Sequence, residues 1–294
     1  MISIIICSRT SVITDELKNN IANTIGVLFE IILIDNSDNK YSIFEAYNIG
    51  IQKSNYPFLC FMHDDILYHT NNWGQKVLEH FSDGNTGVIG VAGSSYYPSM
   101  PGSWWSGGLI NEYIIPAPAK ILKPTEKRFI HNNAIRAEVV VLDGVWICVR
   151  RTIFDKAKFD TDHFKGYHFY DIDISLQINK LGYSLFTVFD IVIQHFSFGN
   201  MNDNWLINAA ILQKKWKKQL PVSCTPLSFF EACEIELKTL DEYIHILLYN
   251  HTAKKTIYKI VMKQVLTFYK FYLYYKTPIY LYRYLNKILK YYEN

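Results

Sequence analysis

The stretch Pro57-Phe-Leu-Cys-Phe-Met-His-Asp-Asp65 is an apolar run that stops at a histidine and two aspartates. An uninterrupted apolar run of this length is typical of a strand that is covered on both faces, as strands in parallel sheets are. Two earlier runs, 2–6 and 30–34, have the same form and end in the polar clusters 8–10 and 35–38. Each run therefore predicts a buried strand with polar side chains at its carboxyl end.

Apolar residues have helical spacing at 14–24, 42–53 and 73–81. These segments follow the three runs in turn, and a fourth β-rich run lies at 87–92. Strands that alternate with helices predict an α/β fold with a Rossmann-like, mostly parallel sheet flanked by helices. Ligands of such sheets bind beyond the carboxyl ends of the strands. The three polar clusters are therefore expected to meet on one rim of the sheet.

The second half of the chain departs from this regular alternation. Residues 94–136 contain five prolines, which predicts a long and partly irregular excursion over the site. The composition changes near residue 222, so we expect a domain at 1–220 and a helical, basic and aromatic-rich C-terminal appendage at 221–294. Beyond the excursion the pattern predicts a strand at 139–149, a helix at 170–181, strands at 185–189 and 191–194, and helices at 202–218 and 228–249.

The chain has 294 residues, 49% of them hydrophobic, which is enough for one α/β domain with an appendage. Its five cysteines are odd in number and form no C-x-x-C pair, which predicts buried thiols in a reducing compartment. The sequence has neither a signal-peptide pattern nor an apolar run long enough to span a membrane. These features predict a cytoplasmic protein.

Positive charge is concentrated at 251–294, which holds nine Lys or Arg residues and one acid, against 21 basic and 26 acidic residues in the remainder. Lysines alternate there with tyrosine and phenylalanine, a pattern that suits peripheral contact with an anionic membrane, here the inner face of the cell membrane. A helical appendage packed on the domain, or on a second copy in a homo-oligomer, explains the pattern equally well. Nucleic acid is not an expected partner, because the charge is confined to this tail and no recognition motif accompanies it.

The pair Asp64-Asp65 directly follows the quoted apolar run. Carboxylates repel a nucleotide diphosphate unless a divalent cation lies between them. Mg²⁺ and Mn²⁺ accept oxygen ligands, and one or two protein carboxylates with the substrate phosphates often suffice. The pair therefore favours a Mn²⁺ or Mg²⁺ site, with an ordinary turn or a helix cap as the alternative.

Three other residues have the chemistry to hold a sugar. Trp104 and Trp105 precede a pair of glycines, and aromatic faces stack on sugar rings where glycine allows close approach. Asp143 lies before a glycine and could accept a hydrogen bond from a sugar hydroxyl. Tryptophans are equally common in protein cores, so packing is the alternative.

Together these segments resemble GT-A glycosyltransferases, family-2-like members in particular, over roughly residues 1–220. The resemblance implies a GT-A-like fold and metal-dependent transfer of a sugar, with inversion, from a nucleotide-sugar donor to a hydroxyl group. A UDP-sugar is the expected donor, and a glycan or lipid-linked acceptor in bacterial polysaccharide or glycoconjugate synthesis is the expected setting. The resemblance rests on the order and spacing of Ser3-Ile-Ile-Ile-Cys-Ser-Arg9, Ile31-Ile-Leu-Ile-Asp-Asn-Ser37, Ala46-Tyr-Asn-Ile-Gly50, His63-Asp-Asp65, Leu142-Asp-Gly-Val-Trp146, Arg150-Arg151 and Tyr170-Asp-Ile-Asp-Ile174.

The same resemblance implies which residues bind the nucleotide. Ser8 and Arg9 would lie against it, after the first predicted strand. Asp35 matches the aspartate that contacts the base. Asn48 lies on the predicted helix that borders the nucleotide pocket.

For the metal, the resemblance points first to Asp65, because Asp64-Asp65 matches a D-x-D-type motif. His63 occupies the first acidic position of that motif, which leaves Asp64 as either a second metal ligand or a ribose contact. His195 follows a late predicted strand, at the position from which several GT-A enzymes bring a histidine to the metal. A hydrogen-bonded structural histidine is the alternative for His195.

The helix predicted to start at residue 170 carries Asp171 and Asp173 in its first turn. The resemblance places the general base at Asp171, whose carboxylate would take the proton of the attacking hydroxyl. Asp173 is expected to be a cap or a supporting residue. The helix dipole alone would also favour both acids at this position.

Several other classes of nucleotide enzyme are not supported, because the sequence lacks a P-loop, a dinucleotide-binding glycine motif and a nucleophile elbow. A sugar nucleotidyltransferase is an alternative, but Ser8-Arg9-Thr10 is a poor match to the basic, glycine-rich loop of such enzymes. A second alternative is a non-catalytic protein that binds glycans or nucleotide sugars on the same fold. The presence of Asp65 and Asp171 favours an enzyme over that binding protein.

Overall fold

The structure is a computed structural model. Most of the predicted tail, 251–294, and part of the predicted excursion, 94–136, lie outside the described residues. The described residues are 1–107, 110–112, 114–116, 134–197 and 200–250, together with Lys259, Tyr282, Asn286 and 289–291.

The described residues form helices and strands close to the predicted ones. The helices are α1 (Asp15–Thr24), α2 (Ile43–Lys53), α3 (Trp73–His80), α4 (Tyr170–Lys180), α5 (Asp203–Trp216) and α6 (Phe229–Tyr249), with 3-10 turns at Trp104–Gly107 and Arg151–Asp155. The strands are β1 (Ile2–Ser8), β2 (Phe29–Asp35), β3 (Phe58–Met62), β4 (Ile66–Tyr68), β5 (Thr86–Gly90), β6 (Ala92–Ser94), β7 (Tyr96–Tyr97), β8 (Ile110–Glu112), β9 (Ile114–Pro116), β10 (Arg136–Val139), β11 (Val141–Leu142), β12 (Trp146–Arg150), β13 (Ser184–Val188), β14 (Ile193–His195) and β15 (Val222–Ser223).

A seven-stranded sheet forms the centre of the fold, in the order β10-β13-β5-β12-β3-β1-β2. β1 pairs in parallel with β2 and β3, and β5 pairs in parallel with β13. β12 runs antiparallel to both of its neighbours, and β10 is antiparallel to β13 at the edge. The prediction of an α/β fold with a mostly parallel sheet flanked by helices is thus confirmed, with two antiparallel strands included in the sheet.

The sheet is buried on both faces, which explains the uninterrupted apolar runs. In β1, Ile5 belongs to the hydrophobic core on one face, together with residues of α2, α4 and α6. Ile4 and Ile6 belong to the core on the other face, together with residues of α1 and α3. Gly50 of α2 lies so close to β1 that a Cβ atom there would collide with the Ile5 side chain, so this glycine allows the helix to pack on the strand.

The apolar run 139–149 is not one strand, and the prediction of a continuous strand there was wrong. The run contains the end of β10, then β11 and β12, which belong to different sheets. The chain turns at Asp143, whose carboxylate accepts a hydrogen bond from the Val145 amide at 2.9 Å. The residues on both sides of this turn are apolar and buried, so the sequence resembles one continuous strand.

The helix predicted at 228–249 is confirmed as α6. Its residues Leu240 and Ile244 belong to the same hydrophobic core as Ile5 of the central sheet, and β15 pairs with β7 just before it. The division into domains at residue 220 stays a prediction. Within the described part of the chain, no helix has the length and apolar character needed to cross a membrane.

Candidate active site

A cavity of about 730 Å³ lies beyond the carboxyl ends of β1 and β3, the rim where the sequence predicted ligand binding. Three predicted site residues, Ser8, Asp35 and Asn48, do not line it. The predicted site residues that do line it are Arg9, Asp64, Asp65, Trp104, Trp105, Asp143, Asp171 and His195.

Three side chains that could bind a metal ion meet in this cavity: His63, Asp65 and His195. His195 Nε2 lies 3.4 Å from Asp65 Oδ1 and 3.3 Å from His63 Nδ1. The three ligand atoms are all within 4.8 Å of one another. Two imidazoles and one carboxylate at this spacing fit a single divalent cation, and imidazole ligands suit Mn²⁺ and other transition ions better than Mg²⁺.

The protonation states of this group also suit a cation. Burial opposes ionisation of Asp65, but hydrogen bonds from His195 and Ser197 and the nearby imidazoles outweigh it and lower the pKa of the carboxyl group. Burial, followed by the proximity of His195, lowers the pKa of His63. Asp65 is therefore a carboxylate at neutral pH, and His63 is a neutral imidazole with a lone pair.

His63 was missed as a ligand in the sequence, although a signal was present. His63 and Asp65 are two residues apart directly after a strand, a spacing that places side chains on the same side. His63 was not recognised as a ligand because the matching motif has a carboxylate, not an imidazole, at this position. Asp64 lies between them and is not part of the group. Its carboxylate instead accepts hydrogen bonds from Ser8 Oγ at 2.8 Å and from Arg9 N at 3.3 Å.

Arg9, Ser8 and Asp64 form a polar cluster at the end of β1. Ser8 is buried, and its hydroxyl donates to Asp64. The Arg9 guanidinium lies 3.8 Å from Asp64, and its side chain is 75% exposed. Arg9 is thus a positive group at the edge of the cavity, within reach of an anionic ligand.

Asp35 and Asn48 lie away from the cavity lining. Asp35 is exposed at the end of β2, where its carboxylate accepts a hydrogen bond from Ser37 N at 3.0 Å. The Asn48 side chain donates to Phe159 O at 2.8 Å and accepts from Phe159 N at 3.2 Å. Both polar ends of the Asn48 amide are therefore used to hold α2 against a loop.

Two carboxylates border the cavity at the turn before β12 and at the start of α4. Asp171 Oδ2 accepts a hydrogen bond from Gly144 N at 3.0 Å, and Asp143 Oδ1 accepts one from Val145 N. Burial, followed by the negative charge of Asp143, raises the pKa of Asp171 to about 7. A carboxyl group with a pKa near neutrality is well suited to exchange a proton with a substrate.

Asp173, the second acid of the same helix, has a different environment. It is buried and accepts hydrogen bonds from Trp216 Nε1 at 2.8 Å and Lys215 Nζ at 2.9 Å. Lys215 also contacts Asp160 at 2.7 Å. The network ties α4 to α5, so Asp173 supports the site without lining the cavity.

Trp104 and Trp105 form an aromatic wall of the cavity, with perpendicular rings whose centroids are 5.4 Å apart. The next residue, Ser106, attaches this wall to α6. Ser106 Oγ donates to Glu242 at 2.9 Å, and Thr239 Oγ1 donates to Ser106 O at 3.0 Å.

Glu236 of α6 holds the segment that leads to the aromatic wall. Its buried carboxylate accepts hydrogen bonds from Tyr96 Oη at 3.0 Å, Ser99 N at 2.7 Å and Met100 N at 3.1 Å. Burial raises the pKa of Glu236, and these hydrogen bonds oppose the increase. No local sequence pattern indicates this contact, because the partners lie far apart in the chain.

Comparison with known proteins identified a matching family and structures of similar fold. The model of a glycosyltransferase-like family matches residues 3–220. A mannosyltransferase from Pyrobaculum calidifontis, PcManGT in complex with GDP-Man and Mn²⁺, is similar over 98% of this chain and 86% of its own, at 11% identity and a TM-score of 0.50. GalNAc-T7 with UDP, GalNAc and Mn²⁺ is similar over 67% of this chain, at 16% identity and a TM-score of 0.48, and this chain spans only 44% of it. Curated proteins gave no match.

The similarity to PcManGT confirms the GT-A-like fold that the sequence predicted. The family match spans most of the chain and includes all the predicted site residues. The chain therefore belongs to the glycosyltransferase-like family.

Proposed function

We propose that the protein is a metal-dependent glycosyltransferase that moves a hexose-type sugar from a nucleotide-sugar donor to a hydroxyl acceptor, with inversion. The observation that carries the proposal is the convergence of His63, Asp65 and His195 in the same cavity as Asp171. A UDP-sugar as donor, and a glycan or lipid-linked acceptor in polysaccharide or glycoconjugate synthesis, complete the proposal.

The His63–Asp65–His195 group would hold the cation, and the two imidazoles favour Mn²⁺ over Mg²⁺. When bound, the cation would offset the negative charge that develops on a leaving diphosphate. Arg9, exposed at the edge of the cavity, would add a second positive charge toward the same phosphates. Asp65 is already ionised at neutral pH, so no proton must leave it before the cation binds.

The nucleoside would lie beside the polar cluster at the end of β1. Asp64 is held in place by Ser8 Oγ at 2.8 Å, and its remaining lone pairs are suited to accept a hydrogen bond from a ribose hydroxyl. Asp35, at the end of the neighbouring strand, would contact the base. Asn48 would act indirectly, through the loop that its amide holds.

Asp171 would be the general base that takes the proton of the attacking acceptor hydroxyl. Backbone amides of Gly144 and Ile172 hold its two carboxylate oxygens, at 3.0 Å and 2.9 Å, which fixes the orientation of the group. Trp104 and Trp105 would stack on a sugar ring, and Asp143 would accept a hydrogen bond from a sugar hydroxyl.

The first test is calorimetric titration of UDP, GDP and dTDP into the protein, with Mn²⁺ and with EDTA. We expect one nucleotide, UDP, to bind in the presence of Mn²⁺ and to lose most of its affinity in EDTA. Asp65→Ala should abolish the metal-dependent part of the affinity, whereas Asp162→Ala, at an exposed acid that does not line the cavity, should leave it unchanged. Metal-dependent binding that survives Asp65→Ala would remove this residue from the site.

Asp171→Asn separates binding from catalysis. The variant should keep Mn²⁺-dependent UDP binding, because Asp171 is not in the metal group. It should lose transfer, measured as UDP release from a UDP-sugar, because an amide cannot accept the proton. Turnover at the wild-type rate would exclude Asp171 as the base.

A further inference from the structure

Tyr170 lies at the start of α4, immediately before Asp171, and its hydroxyl contacts a residue of the proposed metal group. Its oxygen is 3.1 Å from His63 Nε2 and 2.9 Å from Gly144 O. The side chain is buried, and its ring packs against Tyr47 at 5.5 Å and Phe44 at 6.3 Å between centroids. The hydroxyl therefore has a fixed position between a backbone carbonyl and an imidazole.

The two contacts determine where the protons lie. A carbonyl oxygen can only accept, so the single O–H of Tyr170 donates to Gly144 O. Toward His63 the tyrosine oxygen must then accept, which requires the hydrogen of the neutral imidazole to be on Nε2. The lone pair of His63 is consequently on Nδ1.

Nδ1 is the atom of His63 that faces the other members of the group. It lies 3.3 Å from His195 Nε2 and 3.9 Å from Asp65 Oδ1. We propose that Tyr170 is a positioning residue that fixes His63 in the tautomer whose Nδ1 can bind a divalent cation. This inference rests on the proposed metal site and adds the residue that orients one of its ligands.

The backbone at Gly144 is shaped to accept the tyrosine. A Cβ atom at this position would collide with the Tyr170 hydroxyl, so only glycine lets the carbonyl and the hydroxyl approach each other. A histidine that binds a metal commonly donates its second N–H to such a partner, and loss of the partner typically lowers metal affinity 10- to 100-fold. Tyr170→Phe removes the partner while it keeps the ring.

The test is titration with Mn²⁺ in the presence of saturating UDP, followed by the EPR signal of free Mn²⁺. Tyr170→Phe should weaken Mn²⁺ binding about 10- to 100-fold. Tyr243→Phe is the matched control, because it removes a hydroxyl from the same hydrophobic core at a residue that neither lines the cavity nor contacts His63. Equal Mn²⁺ affinity in the wild type and Tyr170→Phe would overturn the inference, whereas no Mn²⁺ binding by the wild type would overturn the proposed function as well.

A second measurement reports the tautomer itself, without metal. In protein labelled with ¹⁵N-histidine, the His63 nitrogens, assigned by comparison with His63→Gln, should show a hydrogen on Nε2 and none on Nδ1. Tyr170→Phe should give a mixture of the two tautomers, and Tyr243→Phe should give the wild-type pattern. A purely structural function of Tyr170 predicts no change in the tautomer, so an unchanged His63 spectrum in folded Tyr170→Phe would also overturn the inference.

Discussion

Replacement of Glu236 by alanine tests whether α6 is part of the active site. The Glu236 carboxylate is 6% exposed and accepts three hydrogen bonds, from Tyr96 Oη, Ser99 N and Met100 N. Alanine cannot accept any of them. Two of the donors, on Tyr96 and Met100, belong to buried residues and would lose their partner.

The size of the effect follows from these contacts. A buried donor without a partner costs about 1–3 kcal/mol. Removal of the buried carboxylate also removes its own desolvation cost, the cause of the raised pKa of Glu236. We therefore expect Glu236→Ala to lower the free energy of unfolding by about 2–4 kcal/mol, and Glu236→Gln, which keeps one acceptor oxygen, to lower it less.

Urea denaturation followed by circular dichroism measures this difference. Glu234→Ala, on the same helix, is the control. Glu234 is exposed and pairs with Lys238 at 3.3 Å, a surface ion pair whose loss should change stability by less than about 1 kcal/mol. A loss in Glu236→Ala no larger than in this control would refute the reasoning that the carboxylate anchors the loop.

The same variant should also affect ligand binding, because Glu236 holds the segment that leads to Trp104 and Trp105. Under conditions where it stays folded, Glu236→Ala should weaken binding of a UDP-sugar more than binding of UDP. The polar cluster at the end of β1 does not involve α6, whereas the aromatic wall does. A parallel loss of both affinities would show that α6 has no specific effect on the sugar side.

Four other measurements test separate parts of the molecule. The rate constant kcat/KM should rise with pH through about 7, because burial and Asp143 raise the pKa of Asp171 to about 7 and the base must be ionised to act; a rate independent of pH from 5 to 8 would contradict this. Since that pKa lies above the ordinary 3.8, the native state retains a proton that the unfolded state releases between these two values. The contribution of Asp171 to the free energy of unfolding should therefore decrease from about pH 4 to pH 7. This part of the pH dependence should be absent in Asp171→Asn. His63→Asp should shift the preference of the site from Mn²⁺ toward Mg²⁺, measured as the ratio of the two affinities with UDP present, because a hard oxygen replaces an imidazole. A chain that ends at residue 250 should lose binding to phosphatidylserine vesicles and keep UDP binding; if the full chain does not sediment with vesicles, packing of the tail on the domain or on a second copy is favoured.

The central strands could be predicted because burial on both faces leaves a direct trace in sequence. Every residue of β3 except the first is buried, so the apolar run has no polar interruption until His63. Because both faces are buried, however, the direction of a strand cannot be predicted from its sequence. β12 is apolar and buried like β3, apart from its last residue Arg150, but it runs antiparallel to β3, and nothing in a doubly buried run distinguishes the two directions.

The parts of the site that could not be predicted depend on contacts between distant segments. Asp65 follows β3 and Asp171 lies in the first turn of α4, and the ends of such elements can be located in sequence. The link from α6 to the aromatic wall joins residues 106 and 242, and no local pattern encodes it. The Tyr170–His63 contact is of the same kind, since each residue alone has an ordinary place at the end of a strand or the start of a helix.

Asp143 interacts electrostatically with both the proposed metal group and the proposed base. Burial raises the pKa of Asp143, although the Val145 amide and the positive forms of His63 and His195 oppose this increase, and the negative charge of Asp143 in turn raises the pKa of Asp171. A divalent cation held beside the two imidazoles would act on Asp143 in the same direction as they do, and more strongly. It would also offset the negative field that Asp143 exerts on Asp171, so the pKa of Asp171 would fall when the cation is present. Ionisation of the base would then be favoured when the donor and its cation are in place, whereas kcat/KM, which reports the enzyme before they bind, would keep its midpoint near pH 7.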